Sequence, residues 1–472
     1  MEVKLTDCYT LSDGKALMSG TEALVRLLLE QSRIDRLNGL RTKGLVSGYP
    51  GSPLGGLDIA LGKAKAFLDE EGIHFQPAVN EELAATALWG SQHINLYDNP
   101  DIQGVFSMWY GKGPGLDRAM DALRHANQGG VAPHGGMVIA VGDDPTGKSS
   151  TLAYQSDQNF HSLGIPYFFP KNVSDIIPMG LEAFALSRYS GCCVGLKIVV
   201  DTADSNAVVD MSKLRPSLPI LKPNSLVHVT KHDPASVRES KLHDVRLPAV
   251  QTWCENSENV AQVYLPAKKG ETRLGIIGVG KIANEVNEAL AGLLPDRGKK
   301  NTVAFTAINM PWPLPEKKIS TMLSVVEEVL VIEEKRSFVE EQIAKICLKQ
   351  DRHILLSGKT NPDGANLLPS YGELSLEDIL NVIAARASHH SIALNPIEKA
   401  PIVSPLSEIP IRQPYYCAGC PHNSSTKVSD DEIVGMGIGC HSISGFINPD
   451  TITNFTQMGG EGAFWIGRAP FS

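Results

Sequence analysis

The sequence predicts an α/β protein whose sheets are mainly parallel. Two observations carry that reading. Short apolar runs at 44–47, 136–141 and 193–200 alternate with stretches of helical period. The same alternation starts again at Arg273, with strands expected at 274–277, 303–307 and 329–333 and a helix at 283–293.

Taken in order, residues 21–37 read as an amphipathic helix, with Thr21 as N-cap and Leu24, Leu27 and Leu28 on one stripe. The strand at 44–47 runs into Tyr49-Pro50-Gly51-Ser52-Pro53, where two prolines around a glycine forbid a helix and fix a loop. Helical stretches are expected at 56–68 and 81–95. Residues 221–262 are polar and weakly patterned, and read as a connection or partial helix. Pro396, Pro401, Pro405, Pro410 and Pro414 make 394–414 an extended linker. The expected divisions are 1–220, a connection at 221–265, 266–393, the linker at 394–414, and 415–472, which is too short for a whole domain of this class.

Composition narrows the function. The chain has 472 residues, 42% of them hydrophobic and 20% charged, enough for several buried cores. A net charge of -9 argues against a nucleic-acid partner. No apolar run reaches the roughly 18 residues that a membrane span needs, and Met1-Glu2-Val3-Lys4 opens no signal peptide, so a cytoplasmic location is expected. Eight cysteines are few for a disulfide scaffold of this size. Cys8, Cys192, Cys193, Cys254 and Cys347 have no ligand spacing and are expected to pack as small hydrophobes.

Two motifs mislead. Gly142 to Ser149 matches G-x-x-x-x-G-K-S after a strand, which would make Lys148 the key residue of an ATPase. Asp143 and Asp144 would meet the phosphates, and Pro145 has no N–H to donate, so phosphate binding is not expected. Gly278-Val279-Gly280-Lys281-Ile282-Ala283 resembles a dinucleotide fingerprint, but the strand at 303–307 ends in Ile308-Asn309 without the carboxylate that ribose needs.

Two clusters carry chemistry. Cys417, Cys420 and Cys440 lie within 24 residues, with His422 and His441 beside them, which suggests soft-metal ligation. Zinc could use the three thiolates and either histidine, whereas a [4Fe–4S] cluster would need a fourth thiolate, and none follows in the sequence. Asn80-Glu81-Glu82 opens an alanine-rich helix. Asn80 suits an N-cap, the helix dipole favours both carboxylates, and Ala84, Ala85 and Ala87 would allow close approach at a packed interface.

These residues resemble a family. Tyr49–Pro53 is similar to the Y-P-G-T-P loop of indolepyruvate ferredoxin oxidoreductases, and Glu81 to the glutamate of their N-E-x segment. Gly142-Asp143-Asp144-Pro145 with Ser149-Ser150, Met310 to Pro315 and Val331 to Arg336 resemble further segments. Cys417–His422 and Gly437–His441 resemble the opening of the family's thiamine-diphosphate domain. Phe106 to Asn127 and Gln457 to Gly462 resemble the long fused bacterial form. The resemblance implies thiamine-diphosphate-enzyme-like parallel sheets with helices on both faces, a transketolase-C-like α/β domain at 266–393, and an incomplete third domain.

It also implies oxidative decarboxylation of an aryl or branched-chain 2-oxoacid, with coenzyme A and ferredoxin as partners. Glu81 would take the role of the glutamate that hydrogen-bonds the aminopyrimidine of thiamine diphosphate. Tyr49, Pro50, Gly51 and Ser52 would border the substrate. Met458, Gly459 and Gly460 would help hold the cofactor, and Cys417, Cys420 and Cys440 would match three ligands of a [4Fe–4S] cluster. The family's G-D-G segment and asparagine, which hold Mg²⁺ and diphosphate, find no match after Gly462, nor does the gamma-like portion. The chain is therefore expected to be a split-gene half or a truncation, inactive alone, with a homodimer of full units as the working form. The alternatives are a zinc-bearing interaction module and a non-catalytic remnant.

Overall fold

The computed structural model describes residues 4–97, 101–148, 150, 152–294, 302–396, 413–429, 431–450, 452–453 and 456–471. The chain forms two units. The first comprises 1–146 and 153–397, the second 147–152 and 398–472.

The first unit holds two parallel sheets. The larger has six strands: β2 (Thr42–Gly48), β3 (Ile73–Phe75), β4 (Gly104–Lys112), β5 (Met137–Asp143), β6 (Tyr167–Phe168) and β7 (Val194–Val199). Their order is β3-β2-β4-β5-β7-β6, and every pairing is parallel. Every residue of β5 and β7 is buried, so both faces of the sheet are covered, as parallel sheets require. Helices Gly20–Leu37 and Val173–Ser190 form one covering pair, Glu81–Ser91 and Gly113–Gly129 another.

The first helix starts one residue earlier than its sequence suggests. Ser19, not Thr21, is its N-cap. The Ser19 hydroxyl accepts from Glu22 N at 3.2 Å, and the Glu22 carboxylate accepts from Ser19 N at 2.8 Å. Such a reciprocal pair satisfies two backbone donors, whereas a cap at Thr21 would satisfy one. Ser19 also closes β1 (Lys15–Ser19), which pairs antiparallel with β8 (Asn206–Asp210).

The second sheet contains β9 (Ala261–Leu265), β10 (Leu274–Val279), β11 (Val303–Ile308), β12 (Glu328–Ile332) and β13 (Leu355–Ser357), in the order β13-β12-β10-β11-β9. Only β9, at the edge, is antiparallel. The segment expected to be a connection thus ends in a strand of this sheet. It also holds helices Ala235–Lys241 and Leu247–Asn256, joined by a π-helical turn at Leu242–Arg246. Arg246 explains its polar look. The side chain is fully buried and donates to the carbonyls of Asn127, Gln128 and Gly129, the last turn of Gly113–Gly129, where the helix dipole favours a cation.

Cys8, Cys192, Cys193 and Cys254 are buried and Cys347 half-buried. Burial pushes the Cys192 thiol up to about 12 and that of Cys8 to about 11. Among the described residues, no helix is long and apolar enough to cross a membrane. In the second unit, β14 (Val434–Gly435) pairs with β15 (Ile452–Thr453) among short helical turns. Most of the expected linker, at 397–412, and Ser149 lie outside the described residues.

Candidate active site

In the six-stranded sheet, the chain steps from β2 to β3 on one side and then to β4 on the other. The carboxyl ends of β2 and β4 therefore frame a topological switch point, where α/β sheets bind ligands. The loop after β2 is Tyr49–Pro53. Tyr49 N donates to Tyr110 O at 3.1 Å, and a Cβ at Gly48 would stand 2.1 Å from that same oxygen. Only glycine lets the two strand ends close this tightly. Pro53 turns over the end of β5, where a Cβ at Gly142 would lie 2.8 Å from its Cδ.

Glu81 enters the same crevice from a third direction. It begins Glu81–Ser91, whose N-cap is Asn80: the Asn80 side chain accepts from Leu83 N at 2.9 Å. The indole of Trp109 in β4 donates to Glu81 O at 2.9 Å, fixing the backbone. The Glu81 residue is 5% exposed, yet its carboxylate makes no hydrogen bond or ion pair among the described residues. It lies against Gly115, where a Cβ would come within 2.8 Å of Oε1. Glu82, one residue on, is exposed. The carboxylate oxygens are thus left open to a ligand in the crevice.

Lys112 joins the site without having been expected there. This last residue of β4 is also the N-cap position of Gly113–Gly129, which has no side-chain cap. Its stem lies on Gly51, where a Cβ would sit 2.9 Å from Cδ. Its ammonium makes no hydrogen bond or ion pair among the described residues. A cation beside an uncapped helix N-terminus opposes the helix dipole and suits an anion that would satisfy both. The signal was present, since Gly111-Lys112-Gly113-Pro114-Gly115 follows a strand and opens a helix. Tyr154 closes one wall, with its ring where any side chain at Gly113 would stand.

The remaining expected residues lie in the second unit. Cys417 and Cys440 are exposed. Cys420 is half-buried, with Sγ 3.2 Å from His422 Nδ1. Gly459 N donates to Glu461 Oε2 at 2.7 Å in the turn Met458-Gly459-Gly460. The three thiolates and a histidine do not gather as one metal ion would require. Among the described residues, the only such cluster is Glu328, His389 and His390, with ligand atoms within 4.8 Å. Glu328 is already held by Arg386 at 2.6 and 2.7 Å and by Ser357 at 2.6 Å, so that cluster is a buried ion-pair network.

Both misleading motifs have structural roles. Asp143 Oδ2 accepts from Ser156 N and Oγ at 2.9 and 2.8 Å, and Pro145 O accepts from Lys335 Nζ at 2.7 Å. At Gly280 (φ +52), a Cβ would stand 2.1 Å from the Phe169 ring, which fills the space a pyrophosphate would need.

An indolepyruvate oxidoreductase domain matches residues 266–401. The chain is similar to indolepyruvate oxidoreductase subunit IorA of Methanothermobacter marburgensis, with 27% identity over 89% of this chain and 61% of that one. It is similar to the same subunit of Pyrococcus abyssi, with 25% identity over 97% of this chain and 67% of that one. The chain thus spans about three fifths to two thirds of these relatives' length. Among solved structures, a 2-oxoglutarate:ferredoxin oxidoreductase from Magnetococcus marinus, with 2-oxoglutarate, coenzyme A and succinyl-CoA bound, shares the fold. The TM-score is 0.53 at 18% identity, covering 79% of this chain and 65% of that one. The chain thus shares its α/β fold with a 2-oxoacid:ferredoxin oxidoreductase, and over most of its length it is similar to indolepyruvate oxidoreductase subunits.

Proposed function

We propose that this chain supplies the pyrimidine-binding part of a thiamine-diphosphate-dependent 2-oxoacid:ferredoxin oxidoreductase. The substrate is an aryl or branched-chain 2-oxoacid such as indolepyruvate, which is converted with coenzyme A to the acyl-CoA and carbon dioxide while ferredoxin is reduced. The observation that carries the proposal is the Glu81 carboxylate at the β2/β4 switch point, which makes no hydrogen bond or ion pair among the described residues.

Thiamine diphosphate, when bound, supplies the carbon nucleophile and electron sink that decarboxylation needs. Glu81 shares a proton with a pyrimidine ring nitrogen, the bond its empty oxygens await. Lys112, beside the N-terminus of Gly113–Gly129 that has no side-chain cap, would hold the substrate carboxylate. Tyr49, Pro50, Gly51 and Ser52 border the substrate, and the close packing of Gly48 and Gly51 on β4 keeps water from that side. In the second unit, Met458, Gly459 and Gly460 contribute to cofactor binding. Cys417, Cys420 and Cys440 would supply three thiolates to a [4Fe–4S] cluster, which would serve single-electron transfer toward ferredoxin. Mg²⁺, the remaining cluster ligand and the gamma-like function require the portion of the relatives' length that this chain does not span. The working form is a homodimer of such full units in the cytoplasm.

The test is phenylpyruvate-dependent ferredoxin reduction by the chain assembled with that missing portion. Turnover that Glu81→Gln abolishes and Glu82→Gln leaves intact supports the assignment. Absence of turnover with aryl and branched-chain 2-oxoacids, or equal turnover in Glu81→Gln, contradicts it.

A further inference from the structure

A second site lies at the other end of the first sheet. The C-terminal halves of Gly20–Leu37 and Val173–Ser190 and the irregular segment 214–228 line it together. It is a cavity of about 600 Å³, within the roughly 300–1,000 Å³ that small-molecule sites occupy. It adjoins the amino end of β2, because Thr42 Oγ1 donates to Asp35 in its floor. The Tyr49 loop follows the carboxyl end of β2, about 20 Å away along the strand. The two sites are therefore separate.

The walls are apolar: Ile34, Leu37, Leu181, Ala185 and Leu218. Leu37 is 67% exposed and Leu218 41%, so this apolar surface has no cover within the fold. The floor offers a ligand no charge. Arg188 grips Asp35 at 2.6 and 2.7 Å and donates to Gly135 O at 2.8 Å, while Gln31 donates to Asp35 at 2.8 Å. These groups satisfy one another.

The rim differs. Arg215 lines this cavity and also a polar one of about 440 Å³, walled by Ser12, Arg26, Glu30, Arg33 and Ser212. Arg26 and Arg33 share Glu30 and the carbonyls of Cys8, Leu11 and Tyr9. Arg215 makes no hydrogen bond or ion pair among the described residues. The polar cavity thus sets three guanidiniums against one carboxylate of its lining, and Arg215, the residue common to both cavities, is unpaired among the described residues.

We propose that this groove binds a small amphipathic monocarboxylate, with an aromatic or branched apolar body in the larger cavity and the carboxylate on Arg215. The apolar walls bury the body, and the planar guanidinium is shaped to take a carboxylate through two hydrogen bonds. This site is independent of the reaction proposed above.

Phenylacetate is the probe, and benzylamine, with the same ring and the opposite charge, is its control. Both are titrated into the full chain by calorimetry and ligand-observed NMR. Binding of one phenylacetate per chain, weakened about tenfold or more by Arg215→Ala and abolished by Ala185→Trp, is the expected result, with Lys112→Gln unchanged and benzylamine binding more weakly. Arg215 is exposed and structurally unengaged, so its variant reads the site even where the tryptophan disturbs the helix. The proposal is overturned by no phenylacetate binding up to about 10 mM, by equal binding of benzylamine, or by binding that survives Arg215→Ala. A dimer that dissociates in both groove variants would assign the groove to a second copy of the chain and overturn it equally.

Discussion

Each of the two parallel sheets of the first unit has a switch point, and the two are finished differently. At the second, between β10 and β12, the polar groups are met. The Glu333 carboxylate accepts from the N–H groups of Phe338, Val339 and Glu340, each at 2.9 Å. Lys281 pairs with Asp201 and Glu285, and Phe169 covers Gly280. At the first, between β2 and β4, Glu81 and Lys112 keep a carboxylate and an ammonium without partners among the described residues. The same topology offers a crevice twice, and the unmet bonding capacity distinguishes the one that awaits ligands. Substitution at the first should therefore cost activity with little stability, and at the second stability before activity.

The largest expected effect is on turnover. Glu81→Gln in the assembled enzyme should lower kcat by about 10²–10⁴-fold. Its thermal midpoint should stay within a degree or so of the parent, because the carboxylate makes no bond in the fold. A large loss of stability in that variant would erase the contrast between the two switch points.

Next is Glu333→Ala, which strips three backbone donors of their acceptor. It should destabilise the first unit by about 2–3 kcal/mol, read from urea midpoints. An unchanged midpoint would mean that the second crevice is not the structural one.

Lys112→Gln should raise KM for the 2-oxoacid by about 10–100-fold and move kcat far less. An equal fall in kcat at unchanged KM would place Lys112 in the chemistry and not in substrate binding.

The smallest effect concerns pH. Burial, with Glu334 and Asp201 nearby, pushes Glu285 from the ordinary 4.5 up to about 7, against the pull of Lys281. A carboxyl whose folded value is raised contributes stability that is complete below 4.5 and lost as pH rises through about 7. Glu285→Gln should flatten that decline. Urea midpoints followed across the window would decide, and an identical slope in both proteins would remove Glu285 as its source.

Much of this was legible in the sequence. Strands β2, β5, β7 and β10 to β12 are apolar runs, because parallel strands covered on both faces need no alternation. The Tyr49–Pro53 loop and the Asn80 cap follow from proline, glycine and asparagine chemistry that acts within a few residues. What escaped depends on distant partners. Strand β4 carries Ser107, Trp109, Tyr110 and two glycines, and its burial is evident only once Trp109 reaches Glu81. Arg246 reads as surface charge until the carbonyls of Asn127 to Gly129 surround it. Lys112 is marked in the sequence only by the glycines around it, and its lack of a partner among the described residues is something a sequence does not record.

The central claim is that the Glu81 carboxylate, and not its neighbour's, addresses the thiamine ring. Deuterium exchange at the thiazolium C2 of thiamine diphosphate, bound to the assembled enzyme with Mg²⁺ and followed by quenched-flow NMR, measures that directly. The account predicts exchange slowed by about a hundredfold or more in Glu81→Gln and unaltered in Glu82→Gln. Wild-type exchange in Glu81→Gln, or a loss confined to Glu82→Gln, would contradict it.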